Sequence, residues 1–353
     1  MKTDRSTKRT NALHLLEDIQ RSYSSLTTED YLNQATILSD QYHSRHTNFQ
    51  ELHSLANAII PASKYQNPYS YYSVYEATVE ISDFLRTITD ANQFDAIELP
   101  IIGTLPIPLF QARIRRSDEK SEDIILIGDG VFNYAFMVSH FFVQMLPAIQ
   151  YSAGQISFKL DAENIKKEID RKNLRESYAE FVHQCYHTDG FYFNGFPPEP
   201  ETEVEMELTG LLGTAFTRFI ISHECAHYLL GHTKDRCVTA SEELCLTGND
   251  ISCDAVFFNW RDELSADILG SSIAVQSLMR KEGDSSFALV GIFLCLKAFE
   301  QFESAYQNMG YPAFSHTHPP YELRRKYVEK NCGADYNPDF FESLNRCFDM
   351  LFE

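Results

Sequence analysis

Leu208 to Gly231, LTGLLGTAFTRFIISHECAHYLLG, is the stretch on which the fold turns. Its apolar residues fall at Leu208, Leu211, Leu212, Ala215, Phe216, Phe219 and Ile220, the spacing of an amphipathic helix. Continued forward, that stripe predicts a buried face holding His223, Ala226, His227 and Leu230. Gly231 is a natural stop, because glycine takes up the left-handed conformation that ends many helices.

Within the stretch, His223-Glu224-Cys225-Ala226-His227 has the H-E-x-x-H spacing of a catalytic zinc helix. Histidines four apart lie about 40° from each other around the helix, so both rings can reach one ion. Glu224 lies about 100° from His223 and can face a water on that ion. Chance would place such a pentapeptide in about 3% of chains of this composition, so its surroundings must decide. The plainer alternative is a pair of hydrogen-bonded core histidines.

A catalytic zinc ion takes three protein ligands and keeps a fourth position for water. His232 is the nearest candidate, but on an uninterrupted helix it lies about 180° from His223. Its spacing also differs from H-E-x-x-H-x-x-G-x-x-H. An outer or loop role suits it better, unless a break at Gly231 brings it round. Glu263, 36 residues after His227, is preferred. Glu263 and Asp267 share a helix face that Gly270 and Ala274 continue with small side chains, allowing another helix to come close. Buried carboxylates need a metal or a donor, and a metal-bound histidine offers both. Glu263 is therefore assigned to the metal and Asp267 to the outer ring nitrogen of one histidine. The alternative is a solvated acidic face or a salt bridge with Arg261.

With Glu263-Leu264-Ser265-Ala266-Asp267 following H-E-x-x-H, the sequence resembles the gluzincin metallopeptidases, whose third ligand is the glutamate of E-x-x-A-D or E-x-x-S-D. His318-Pro319-Pro320-Tyr321-Glu322-Leu323-Arg324 is similar to the H-P-x-x-x-x-R segment of the CAAX prenyl protease and HtpX family. The resemblance implies one Zn2+ ion, substrate binding or transition-state stabilisation by His318, and support from Arg324. His316 and Tyr321 are further candidates for contact with substrate or oxyanion. That family is built into membranes, whereas here the longest apolar run, Phe287 to Leu296, has ten residues where about twenty are needed. The chain also resembles the Lit-type phage-exclusion peptidases.

Composition agrees with an enzyme of one large domain or two: 353 residues, 44% hydrophobic and 13% aromatic. A net charge of −20 argues against nucleic acid or anionic membrane as partner. The polar start, Met1 to Arg5, lacks the apolar core of a signal peptide, and the expected location is the cytoplasm. Eight cysteines without a C-x-x-C pair are read as free thiols, and Cys225 as a packing residue.

The fold expected is α+β, mainly helical. It has a zincin-like core with an H-E-x-x-H helix, a second glutamate-bearing helix and a small antiparallel β hairpin or sheet. Residues 1–95 read as an N-terminal helical region with breaks near Pro61 and Pro68, and 96–353 as the metallopeptidase domain, the two being continuous in one reading. Pro106 to Ile114 and Ile124 to Ile127 are strand-like runs around a charged turn. This hairpin is expected to offer an edge to extended substrate. Buried and amphipathic helices are expected over Val131 to Leu146 and Ala162 to Gln184, and others near Ser285 to Asn308 and Asp339 to Phe352. The acidic run Glu203, Glu205, Glu207 suits the first turn of the zinc helix.

The function expected is zinc-dependent hydrolysis of peptide bonds in a protein or peptide substrate. The enzyme would be an endopeptidase, with Glu224 as general base, and a regulated or defence-type role would follow from the phage-exclusion resemblance. The alternative is a structural-zinc or inactive protein that serves as a binding module.

Overall fold

The structure, a computed structural model, describes residues 2–23, 72–92, 97–105, 111–115, 122–128, 130–152, 155–187, 202–232, 240–242, 253–255, 260–282, 285–308, 319–331 and 337–352. The chain divides into two units. One comprises Met1–Ile107, Gln111–Asp129 and Thr233–Val256, and the other Pro108–Phe110, Gly130–His232 and Phe257–Glu353.

In the first unit, helices α1 (Lys2–Tyr23) and α2 (Tyr72–Asn92) accompany a five-stranded sheet. Strands β1 (Ile101–Leu105) and β3 (Ile124–Gly128) are apolar apart from Thr104 and buried at every position, the pattern of strands covered on both faces. They pair in parallel, with Ile101 opposite Ile124. β2 (Ala112–Arg115) joins β3 antiparallel, Ala112 opposite Ile127, which is the hairpin read from the sequence. Two short strands, β6 (Ala240–Glu242) and β7 (Cys253–Ala255), complete the order β1-β3-β2-β7-β6. The sheet is therefore mixed, not antiparallel. The hairpin is also not at its edge, since β3 lies between β1 and β2, and β2 is followed by β7. The alternating pattern of a strand reports its faces and is silent about its neighbours, so the hairpin does not lie at the sheet edge expected of it.

The second unit is a helical assembly around one central helix. Its elements are α3 (Gly130–Met145), the hairpin of β4 (Ile149–Ser152) and β5 (Gln155–Phe158), α4 (Ala162–Arg171), α5 (Leu174–His187), α6 (Glu203–Leu229), α7 (Trp260–Glu282), α8 (Ser285–Asn308), α9 (Tyr321–Asn331) and α10 (Pro338–Asp349). The single helix expected over Ala162 to Gln184 is two, because Asn173 takes a positive φ of 52° and turns the chain. Helix α6 is packed by α3, α7 and α8. It starts with a capping box in which Thr202 and Glu205 satisfy each other's backbone N–H groups. Tyr134 of α3 stacks on Phe181 and meets Phe216 of α6 edge-on, so aromatic packing fills the space between these helices. No helix among the described residues is long and apolar enough to cross a membrane.

Candidate metal centre

The apolar stripe of α6 sets the centre in the core of the second unit. His223 is 8% exposed, Ala226 0% and His227 1%, whereas Leu230, expected on the same face, is 43% exposed. The helix has ended at Leu229, so the stripe no longer governs Leu230. Glu224 and Cys225 are buried as well.

Helix α7 brings the carboxylates. A Cβ on Gly270 would stand 2.8 Å from the Cα of His223 and 2.9 Å from its backbone nitrogen, so α7 crosses α6 at the first histidine with no room for a side chain. One and two turns before that crossing, Asp267 and Glu263 face the two rings, 0% and 1% exposed. The solvated acidic face is thereby excluded, and the partner of the two carboxylates is Arg324.

The two histidine Nε2 atoms lie 3.0 Å apart. Oε2 of Glu263 is 3.6 Å from Nε2 of His223, and Oε1 is 3.6 Å from Nε2 of His227. Ligands about 2.1 Å from a tetrahedral ion stand about 3.4 Å from one another. The carboxylate separations are too long for hydrogen bonds and suit donors that share an ion. His223, His227 and Glu263 thus form a buried group that could hold a metal ion.

The outer nitrogens are also engaged. Nδ1 of His223 is 2.9 Å from Oδ1 of Asp267, the placement expected of Asp267. Arg324, on α9, donates from Nε and from its terminal nitrogen to the two oxygens of Asp267, at 2.8 and 2.7 Å, and stands 3.4 Å from Oε2 of Glu263. Its guanidinium lies over the ring of Tyr321, which in turn stacks on Phe299. Tyr321 is thus a floor beneath Arg324. His316 and His318 lie outside the described residues.

These contacts decide the charges. Burial opposes ionisation of Glu263 and Asp267, but His223 and Arg324 prevail and hold both near a pKa of about 2. Burial likewise opposes the imidazolium of His223, yet its contacts with Asp267 and Glu263 raise it to about 9. His227 is lowered well below the usual histidine value by burial and by the charge of His223. One proton on His223, directed at the Nε2 of neutral His227, accounts for their 3.0 Å separation.

His232 does come round at Gly231, but to the far side of the site. It meets Nδ1 of His227 at 2.9 Å through its own Nδ1, and it is not part of the three-residue group. The helix does not continue unbroken to His232, so the separation of about 180° expected of it does not apply, and its ring instead lies against His227. Cys185, Cys225, Cys295 and Cys347 are free thiols, as expected. No family model, curated protein or solved structure matches the chain, so the chemistry of the centre rests on its own geometry.

Proposed function

We propose that this chain is a zinc-dependent peptidase of the gluzincin type, in which His223, His227 and Glu263 hold one zinc ion. The observation that carries the reading is the convergence of two imidazole nitrogens and a carboxylate at 3.0 to 3.6 Å, on the helix that also bears Glu224. Two nitrogens and one oxygen suit zinc better than calcium or magnesium, which take oxygen ligands. Three protein ligands are the catalytic number, and four the structural one. When bound, the ion supplies Lewis acidity, lowering the pKa of a water and polarising the scissile carbonyl.

The chain's own residues do the rest. Glu224 removes a proton from the attacking water and returns it to the leaving amine. Asp267 holds the Nδ1 proton of His223, which keeps the Nε2 lone pair on the ligand side. Arg324 balances the charge of Asp267 and Glu263. From the H-P-x-x-x-x-R resemblance, His318 is assigned to the oxyanion. The substrate is a protein cut internally.

The test compares wild type with Glu224→Gln for zinc content and for new protein termini in cells expressing each. Zinc content is expected to stay near one ion per chain. Hydrolysis is expected to fall by about 10²- to 10⁴-fold, the contribution of a general base. Full zinc in both proteins with identical terminus profiles would instead mark a structural metal in a binding module.

A further inference from the structure

Where α6 ends, Gly231 takes a positive φ of 73°. The N–H of His232 reaches back to the carbonyl of His227 at 3.0 Å, and the N–H of Gly231 to that of Tyr228 at 3.1 Å. This pair of bonds is the Schellman motif, with Gly231 just past the cap and His232 next after it. The motif folds the residue in the position of His232 over the one in the position of His227, and two apolar side chains usually meet there. Here two imidazoles meet instead, Nδ1 to Nδ1 at 2.9 Å, with ring centroids 5.1 Å apart. The far nitrogen of His232, Nε2, faces Oδ1 of Asp262 at 3.8 Å, and both side chains are largely buried.

From this geometry we infer that His232 is a positioning residue for His227, setting its tautomer so that Nε2 presents a lone pair to the metal. A hydrogen bond between two Nδ1 atoms needs one donor and one acceptor. The carboxylate of Asp262 favours the proton of His232 on Nε2, which leaves Nδ1 of His232 as the acceptor. Nδ1 of His227 must then carry its proton and donate it. In a neutral imidazole, Nε2 of His227 is consequently unprotonated, and it is the nitrogen turned toward His223 and Glu263. The opposite arrangement would put the proton of His227 on Nε2 and abolish it as a ligand. Each histidine of the pair thus has an outer partner: Asp267, one turn along α7 from Glu263, for His223, and the turn that closes α6 for His227.

The inference rests on the metal-binding reading of the site, and two measurements separate the two. Nitrogen-15 imidazole spectra of the metal-free protein report the tautomer directly. His227 is expected with its proton on Nδ1 in wild type and in His232→Gln, whose amide oxygen can accept the same bond. Because His223 also directs a proton at Nε2 of His227, the role of His232 is read in a His223→Ala background, where adding His232→Ala should no longer hold the proton on Nδ1. Zinc affinity, measured by competition with a chromophoric chelator, is expected to fall about 10- to 100-fold in His232→Ala, as for other outer partners of metal-bound histidines. In His232→Gln it should return to within about threefold of wild type. Circular dichroism confirms that each variant is folded. A wild-type His227 protonated on Nε2, or wild-type zinc affinity in His232→Ala, overturns the inference. A wild type that takes up no zinc but shows the Nδ1–H tautomer overturns the metal reading and leaves the positioning of His227 in place.

Discussion

At the scale of single residues, Arg324 balances the charge beside the two histidines. It is 5% exposed and serves two carboxylates, Asp267 and Glu263, that are themselves buried. Removing one partner of a buried ion pair leaves a charge that neither water nor protein compensates. Arg324→Ala is therefore expected to destabilise the protein by about 3–5 kcal/mol, measured by urea unfolding. Arg324→Lys should recover only part of this, because an ammonium cannot reproduce the two-pronged contact with Asp267. A change below about 1 kcal/mol in Arg324→Ala would mean that the pair is solvated and worth no more than a surface ion pair. Arg324 was legible in the sequence only as support implied by a resemblance. Its pairing with Asp267 joins residues 57 positions apart, and no local pattern reports such a contact.

At the scale of elements, the crossing of α6 and α7 sets the distance between the imidazoles and Glu263. The small residues at Gly270 and Ala274 announced a close helix contact in the sequence, and Gly270 fulfils it against the backbone of His223. Gly291 of α8 makes a second such approach, 3.0 Å in prospect from the carbonyl of Leu212 and the nitrogen of Phe216. In Gly270→Ala, the added methyl meets backbone that cannot rotate away, so the helices must part. Overpacking of this kind costs about 1–3 kcal/mol, and the shift carries Glu263 away from the histidines. Lower thermal stability together with weaker zinc retention is the expected outcome, read by calorimetry and metal analysis. Gly270→Ala with wild-type stability and wild-type zinc content would show that α7 can move without consequence.

At the scale of the whole molecule, the centre links stability to pH. His223 is raised from 6.5 to about 9, so its contribution is fully present below pH 6.5 and is lost as pH rises through 9. Glu263 and Asp267 are lowered from 4.5 and 3.8 to about 2, so theirs is present above those values and is lost as pH falls toward 2. His227 acts the other way: held neutral by burial, it binds no proton in the fold where the unfolded chain does, so stability also falls as pH drops below 6.5, and the maximum for the metal-free centre lies near pH 6.5. On the proposed reading, zinc would displace the proton of His223, so its stabilisation of the protein should grow as pH rises from 6.5 to 9. Urea unfolding with and without zinc across this range tests it, and parallel pH profiles would contradict it. The two sides of the maximum have different causes: above it, the proton lost from His223; below it, the proton that His227 takes up only on unfolding, followed at lower pH by those of the carboxylates.

By itself the sequence determined the helix that carries the site, its buried face, its stop at Gly231 and the three candidate ligands. Each of these follows from helical periodicity and side-chain chemistry, which act over a few residues. Strand pattern likewise revealed the β2–β3 hairpin. Tertiary structure alone decided that this hairpin lies inside a mixed sheet, because β1 pairs with β3 and not with its sequence neighbour β2, and β7 comes from a distant segment. It also decided which histidine Asp267 serves and which group serves the other. Asp267 reaches His223 because α7 crosses α6 at a glycine. Arg324 reaches Asp267 because α9 packs on α7. His232 reaches His227 because one left-handed residue reverses the chain. Spacing along a helix names the groups that can share an ion; packing between elements determines which protons they hold.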